Sequence, residues 1–274
     1  MPRYIHYLLI LFTVCLLALP AAAKKRPNKY DQKRESSIAI PLIEPDPISR
    51  KTKPDSHPRQ LEQPAIAGGM SYHPDNYVHG IDVSHHNGHI DWTQVARDTQ
   101  VGYVFIKCSE GANYIDDLYE YNQREARRNG LKVGCYHFFR PNVAAEVQFK
   151  NMMSVMDVKK QDLLPIIDVE VVNGVSMPVF HARLEQLLKL VTQAIGRRPI
   201  IYTGKNFYNK YMSGGRYRDY KLMIAAYAFD EPDLNNNDDY VMWQYSASGR
   251  IKGIRGNVDQ SRFVGRHTMR EILW

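Results

Sequence analysis

The sequence predicts an α/β fold: an irregular TIM-like β/α barrel with helices missing in its C-terminal half. Three observations carry this. From about Val78 onward, short apolar runs alternate with amphipathic stretches, the order that builds a parallel sheet with helices outside it. The apolar runs lack a polar residue at every second place, as strands buried on both faces do. After Thr203 the helical stretches become poor. No Gly-x-Gly-x-x-Gly follows the first strand and no phosphate loop is present, which disfavours the nucleotide-binding versions of such a fold.

The elements follow in order. Gly80 to Ser84 reads as a strand, and Asp91 caps a helix through Trp92, Val95 and Ala96, its carboxylate accepting the orphan amides of the first turn. Val101 to Lys107 is a buried strand; Asp116 to Asn129 is helical, with Gly130 stopping it. Leu131 to Phe138 is a strand, Val143 to Val158 a helix and Leu163 to Glu170 a strand. Pro178 to Ile195 is a long helix with Pro in its first turn and Gly196 just past its end. Pro199 to Thr203, Leu222 to Ala226 and Val241 to Tyr245 are further strands, and Asn257 to Asp259 a short last one.

The segment before the barrel has a different texture. Arg3, an apolar run from Leu8 to Leu19 and the Ala21-Ala22-Ala23 end together describe a secretory signal peptide over residues 1–23. The run is shorter than the ~20 residues a membrane span needs, so an uncleaved anchor ranks second. Residues 24–77 hold 8 of the 15 prolines and only three aromatics, Tyr30, Tyr72 and Tyr77, and read as a flexible linker. The barrel is assigned to residues 78–274, and the protein to the periplasm or the exterior. Removing the signal peptide removes Cys15 and leaves Cys108 and Cys135. Export permits a bridge between them; two buried free thiols are the favoured reading.

Composition narrows the partners. Of 274 residues, 36 are Lys or Arg and 29 Asp or Glu, a formal charge of +7. There is no basic stripe, so nucleic acid is not the expected partner. No heptads point to an oligomer, and a monomer is expected. Tyr is the commonest aromatic, at 18 residues, which suits a polar groove that stacks on something flat.

In parallel barrels the active groups stand at the C-terminal ends of the strands. The polar residues there are Asp82, Lys107, Ser109, Glu110, Tyr136, His137, Asp168, Glu170, Tyr202, Tyr227, Trp243, Gln244 and Asp259. The sharpest signal is Ile166-Ile167-Asp168-Val169-Glu170. In a strand, residues i and i+2 share a face, and two crowded carboxyls favour a proton held on one of them. A structural carboxylate pair is the plain alternative, but Asp82 and Asp259 at the same mouth argue for catalysis. The carboxyls lack the spacing of a calcium loop, and His85-His86 is no zinc motif. No metal and no cofactor is expected. Neither serine has the elbow of a serine hydrolase.

Seven motifs stand in one order: Gly80-Ile81-Asp82-Val83-Ser84, Lys107-Cys108-Ser109-Glu110-Gly111, Gly134-Cys135-Tyr136-His137-Phe138, Asp168-Val169-Glu170, Arg198-Pro199-Ile200-Ile201-Tyr202-Thr203, Trp243-Gln244-Tyr245 and Val258-Asp259. This resembles the glycoside hydrolase family 25 lysozymes, the Chalaropsis-type N-acetylmuramidases, from about Gly80 to Phe263. The resemblance implies cleavage of the β-1,4 bond between N-acetylmuramic acid and N-acetylglucosamine in peptidoglycan. It implies Glu170 as general acid, Asp168, Asp82 and Asp259 as the other active-site carboxyls, and Tyr136 as a groove tyrosine. Cys108 and Cys135 stand where a small residue such as Ala is usual, and Gln260-Ser261 where Leu-Asn commonly follows the Asp. Glu110, His137, Tyr202, Tyr227, Trp243 and Gln244 are expected to contact substrate. The expected mechanism is substrate-assisted, with Asp168 orienting the 2-acetamido group and Glu170 acting as acid, then base; an inverting route with Asp82 as base is the alternative. Rival functions are a non-catalytic peptidoglycan-binding module and a chitinase-like hydrolase. The chitinase pattern wants an Asp where this chain has Ile166.

Overall fold

The computed structural model describes residues 79–98 and 100–274. The expected signal peptide (1–23) and linker (24–77) lie outside the described residues. Among the described residues nine strands form one sheet: β1 (His79–Val83), β2 (Val101–Glu110), β3 (Tyr114–Ile115), β4 (Lys132–Phe138), β5 (Ile166–Asp168), β6 (Ile200–Gly204), β7 (Leu222–Ala225), β8 (Met242–Gly249) and β9 (Val258–Phe263). β1 pairs with both β2 and β9, so the sheet closes into a barrel, and β3 is a hairpin arm on β2. Between the strands run α1 (Trp92–Val95), α2 (Tyr119–Arg128), α3 (Ala145–Met153), α4 (Met177–Ile195) and the single turn α5 (Lys205–Phe207). Among the described residues no α-helix separates β7, β8 and β9, as expected for a barrel with a thinned second half. No described helix is long and apolar enough to cross a membrane.

Strand alternation sorts side chains into two cores. Val104, Ile106, Val133, Ile167, Ile201 and Ile224 face the helix layer, where α4 buries Phe180, Leu184, Leu187, Leu188 and Val191 along one stripe. Tyr103, Phe105, Ile166, Ile200, Met223, Met242 and Phe263 fill the barrel. Both faces of the strands are therefore apolar, which is why the sequence shows runs instead of alternation. At its C-terminus α4 closes on Gly196 at φ 72°, whose amide donates to the Thr192 carbonyl at 2.9 Å.

Several boundaries differ from expectation. The fourth major strand is only Ile166–Asp168, not Leu163 to Glu170. Pro165 has no N–H to give to a ladder, and Leu163 instead bridges Leu273. Helix α2 begins at Tyr119 and not at Asp116, because the Asp116 carboxylate accepts from the amides of Leu118 and His85, both at 3.0 Å. Helix α3 covers Ala145–Met153, shorter than Val143 to Val158; at its end the Ser154 hydroxyl donates to the Asn151 carbonyl at 2.7 Å, a local bond that competes with the helix. The last strand is not parallel. β9 runs antiparallel to β8 and to β1, since the loop between β8 and β9 carries no helix to return the chain. Cys108 and Cys135 are buried free thiols, with the Cys108 thiol donating to the Tyr136 carbonyl at 3.1 Å. Burial, with Cys108 beside it, pushes the Cys135 thiol well up.

Two glycines make room for the barrel's aromatic filling. A Cβ on Gly80 would fall inside the Tyr103 ring, and one on Gly134 would press on Phe105. Tyr103 cannot swing away, because its hydroxyl is hydrogen-bonded to Ser261 at 3.2 Å and the ring is fully buried. Gly80→Ala is expected to destabilise the fold by about 1–3 kcal/mol, read as a lower urea midpoint; an unchanged midpoint would contradict this packing.

Candidate active site

Closure sets the mouth. In the β1–β9 ladder Asp82 lies directly opposite Asp259. Asp259 is near the start of β9, and because that strand is antiparallel its start lies at the end where the parallel strands finish. Phe138, Asp168 and Tyr202 are register partners across β4, β5 and β6, so they share the inner face. Glu170 stands two residues past the end of β5, so it reaches the mouth from the following loop.

Gln244 on β8 is the hub. Its side-chain nitrogen donates to Asp82 Oδ2 at 3.0 Å. Its oxygen accepts from the hydroxyls of Tyr202 at 2.8 Å and Tyr227 at 3.1 Å. The tyrosine hydroxyls report where the acids are. Burial raises all three. Asp168, Asp82 and Asp259 add to the rise at Tyr136, which is pushed well above its ordinary value. Glu170, Asp168 and Asp82 do so at Tyr202. Asp259, Glu170 and Asp82 do so at Tyr227, pushed up to about 12. All four expected carboxyls thus bear on one group of tyrosines.

Burial pushes the Asp82 carboxyl up to about 8; the hydrogen bond from Gln244 opposes the rise and Asp259 adds to it. Burial therefore favours the protonated form of Asp82 near neutral pH. Desolvation at the β1–β9 seam thus raises a carboxyl outside the Asp168–Glu170 pair, where the sequence placed its expectation of a retained proton.

Glu110 is treated in the opposite way. Burial alone would raise it, but Lys107 and Arg140 outweigh that and hold it below the ordinary value. Lys107 Nζ donates to Glu110 at 2.6 Å, and Arg140 Nε at 2.8 Å. A bulge between Lys107 and Ser109 sets two residues of β2 against one step of β4. It turns Lys107 and Glu110, three apart, to the same side. The Lys107 ammonium also lies over the rings of Tyr114 and Phe138, at 5.3 Å from each. Nothing in the sequence pattern announces this bulge. A second brace joins Tyr114, His85 and buried Asp116: His85 Nδ1 is 2.7 Å from Asp116 and 2.8 Å from the Tyr114 hydroxyl. Sequence reasoning passed over it, since Asp116 reads there as the start of a helix.

Two expected substrate contacts do not face the mouth. His137 is fully buried on the opposite face of β4 from Tyr136, bonded to Ser109 Oγ at 2.8 Å and Gln148 at 3.3 Å. Desolvation lowers it to about 4, a neutral core histidine. Trp243 is buried outside the barrel, with Arg262 over its ring at 4.9 Å and its N–H donating to the Ala226 carbonyl at 2.7 Å. Glu110 is at the mouth, but committed to its two cations. Among the described residues no three of His, Cys, Asp and Glu converge closely enough to hold a metal ion.

Carboxyls and tyrosines ringing a barrel mouth are the equipment of a glycoside hydrolase. Residues 81–254 match the model of the glycosyl hydrolases family 25, and the chain belongs to that family. It is 36% identical over 197 residues to the uncharacterized protein YegX of Escherichia coli O157:H7, covering 70% of this chain and 72% of that one. It is 28% identical over 201 residues to Lysozyme M1 of Streptomyces globisporus, covering 69% and 68%. Its fold is similar to the crystal structure of the bacterial lysozyme from Streptomyces coelicolor, with TM-score 0.64 and 28% identity over 69% of this chain and 92% of that one.

The Asp82 proton has a consequence for stability. The native state keeps a proton that the unfolded chain, at its ordinary 3.8, releases. Stability from this group is full below that value and is lost as pH rises towards 8. Asp82→Asn is therefore expected to melt above the wild type at about pH 8, with the gap closing towards pH 4. Thermal unfolding across that range checks it; a gap that is constant or reversed would contradict the assignment.

Proposed function

We propose that the chain is a muramidase that hydrolyses the β-1,4 bond between N-acetylmuramic acid and N-acetylglucosamine in peptidoglycan. The observation that carries this reading is the gathering of Asp82, Asp168, Glu170 and Asp259 around Tyr136, Tyr202 and Tyr227 in a family 25 chain. A substrate outside the cell also agrees with the export expected from residues 1–23.

Glu170 is the general acid that protonates the departing glycosidic oxygen. Asp168 accepts the N–H of the 2-acetamido group and turns its carbonyl oxygen onto the anomeric carbon. That carbon–oxygen bond forms as the glycosidic bond breaks. Glu170, now ionised, takes a proton from the water that opens the cyclic intermediate, returning the acetamido group and leaving a β-configured hydroxyl. Protonated Asp82 donates a hydrogen bond near the sugar. Burial biases Asp82 towards its protonated form, which favours substrate assistance over an inverting route with Asp82 as base. Tyr136, Tyr202 and Tyr227 line the sugar sites, with Gln244 fixing the last two. Lys107 and Arg140 hold Glu110 as a wall of the mouth.

Digestion of purified peptidoglycan by the protein, beside Glu170→Gln, tests the reading by mass spectrometry of released fragments. The wild type should give fragments ending in reducing N-acetylmuramic acid, and Glu170→Gln should lower kcat by about 10²–10⁴-fold. Reducing N-acetylglucosamine ends, or polymer that is bound but never cut, would overturn it.

A further inference from the structure

The loop after β7 carries two exposed aromatic side chains. Tyr227 is 61% exposed, and Phe229 is completely exposed at 103%. Phe229 buries nothing, so the fold gains nothing from an aromatic residue there. The backbone just before it is tied to β8, and a surface ion pair follows it. Before it, the Ala226 amide donates to the Gln244 carbonyl at 3.1 Å, the Ala226 carbonyl accepts from Trp243 at 2.7 Å, and the Tyr227 hydroxyl reaches Gln244. The Ala228 amide turns back onto the Ala226 carbonyl at 3.1 Å. After it, Glu231 is paired with Arg262 of β9 at 3.1 Å. Through Gln244 this chain of contacts ends on Asp82. Two residues span at most about 7 Å, so the Phe229 backbone stays close to Tyr227, on the loop that follows β7 at the C-terminal end of the parallel strands.

We propose that Phe229 is a stacking platform for a sugar of the same glycan strand, one beyond the pair whose bond is cut. The proposal rests on the muramidase reading for its ligand. A polymer cut inside the mouth must leave it over the rim, and the C–H face of a pyranose is the surface an exposed ring accepts. The platform acts on long substrate alone, since a fragment that fills only the cleaved pair does not reach it.

The test measures both binding and turnover. In a Glu170→Gln background, which leaves the polymer intact, Phe229→Ala should weaken pelleting on insoluble peptidoglycan about tenfold, or about 1.4 kcal/mol. In the active protein the same change should raise KM on polymer by a similar factor, with kcat and melting temperature kept. It should leave the shortest cleavable fragments unaffected, and Phe229→Tyr should restore binding. Unchanged pelleting, or an equal loss on short fragments, would overturn the platform. If the wild type cuts nothing, the muramidase reading falls, while pelleting with and without Phe229 still decides this proposal.

Discussion

Antiparallel pairing of β9 with β1 is the constraint on which the site depends. It closes the barrel without a helix and sets Asp259 against Asp82. It aligns β8 so that Gln244 spans from Asp82 to two tyrosines. A parallel last strand, as the βαβ rhythm suggests, would send the start of that strand, and Asp259 with it, to the far end of the barrel. The thinned second half is therefore no loss. It is where the chain reverses to deliver a carboxyl.

The mouth treats two of its acids oppositely. Glu110 is surrounded by cations and stays ionised. Asp82 is desolvated beside another acid and an amide, and is biased towards its protonated form. Environments that push carboxyls apart in this way separate their chemical roles. Here burial favours a neutral carboxyl at Asp82, and two cations fix an anion at Glu110. Glu170 is left as the group that gives and takes the proton in the proposed mechanism. The aromatic filling beneath supports this arrangement: Tyr103 and Phe105 plug the barrel below the acids, and Gly80 and Gly134 admit their rings.

Much of this was legible from the sequence, for identifiable reasons. Apolar runs ending in acids mark strands of a barrel and its mouth, so Asp82, Asp168 and Asp259 could be singled out one by one. The thinning after Thr203 was legible because the long amphipathic pattern simply stops. What was not legible depends on pairing between distant strands. Asp259 looked like a strand end because direction in a barrel is not written locally. The bulge at Cys108 reverses the facing of Ser109 and Glu110, and alternation counted along the chain cannot reveal it. His137 and Trp243 are polar or aromatic residues at strand ends, like the true mouth residues. Only their parity against Tyr136 and Gln244 sends them to the outer layer.

The proposed mechanism assigns the chemistry to Glu170 and the substrate's own acetamido group, with burial biasing Asp82 towards its protonated form. The most direct measurement is proton NMR of the newly formed reducing end, recorded before the anomers equilibrate. Substrate assistance gives the β-anomer first. The α-anomer first would mean inversion, with Asp82 ionised and acting as a base, and would contradict it.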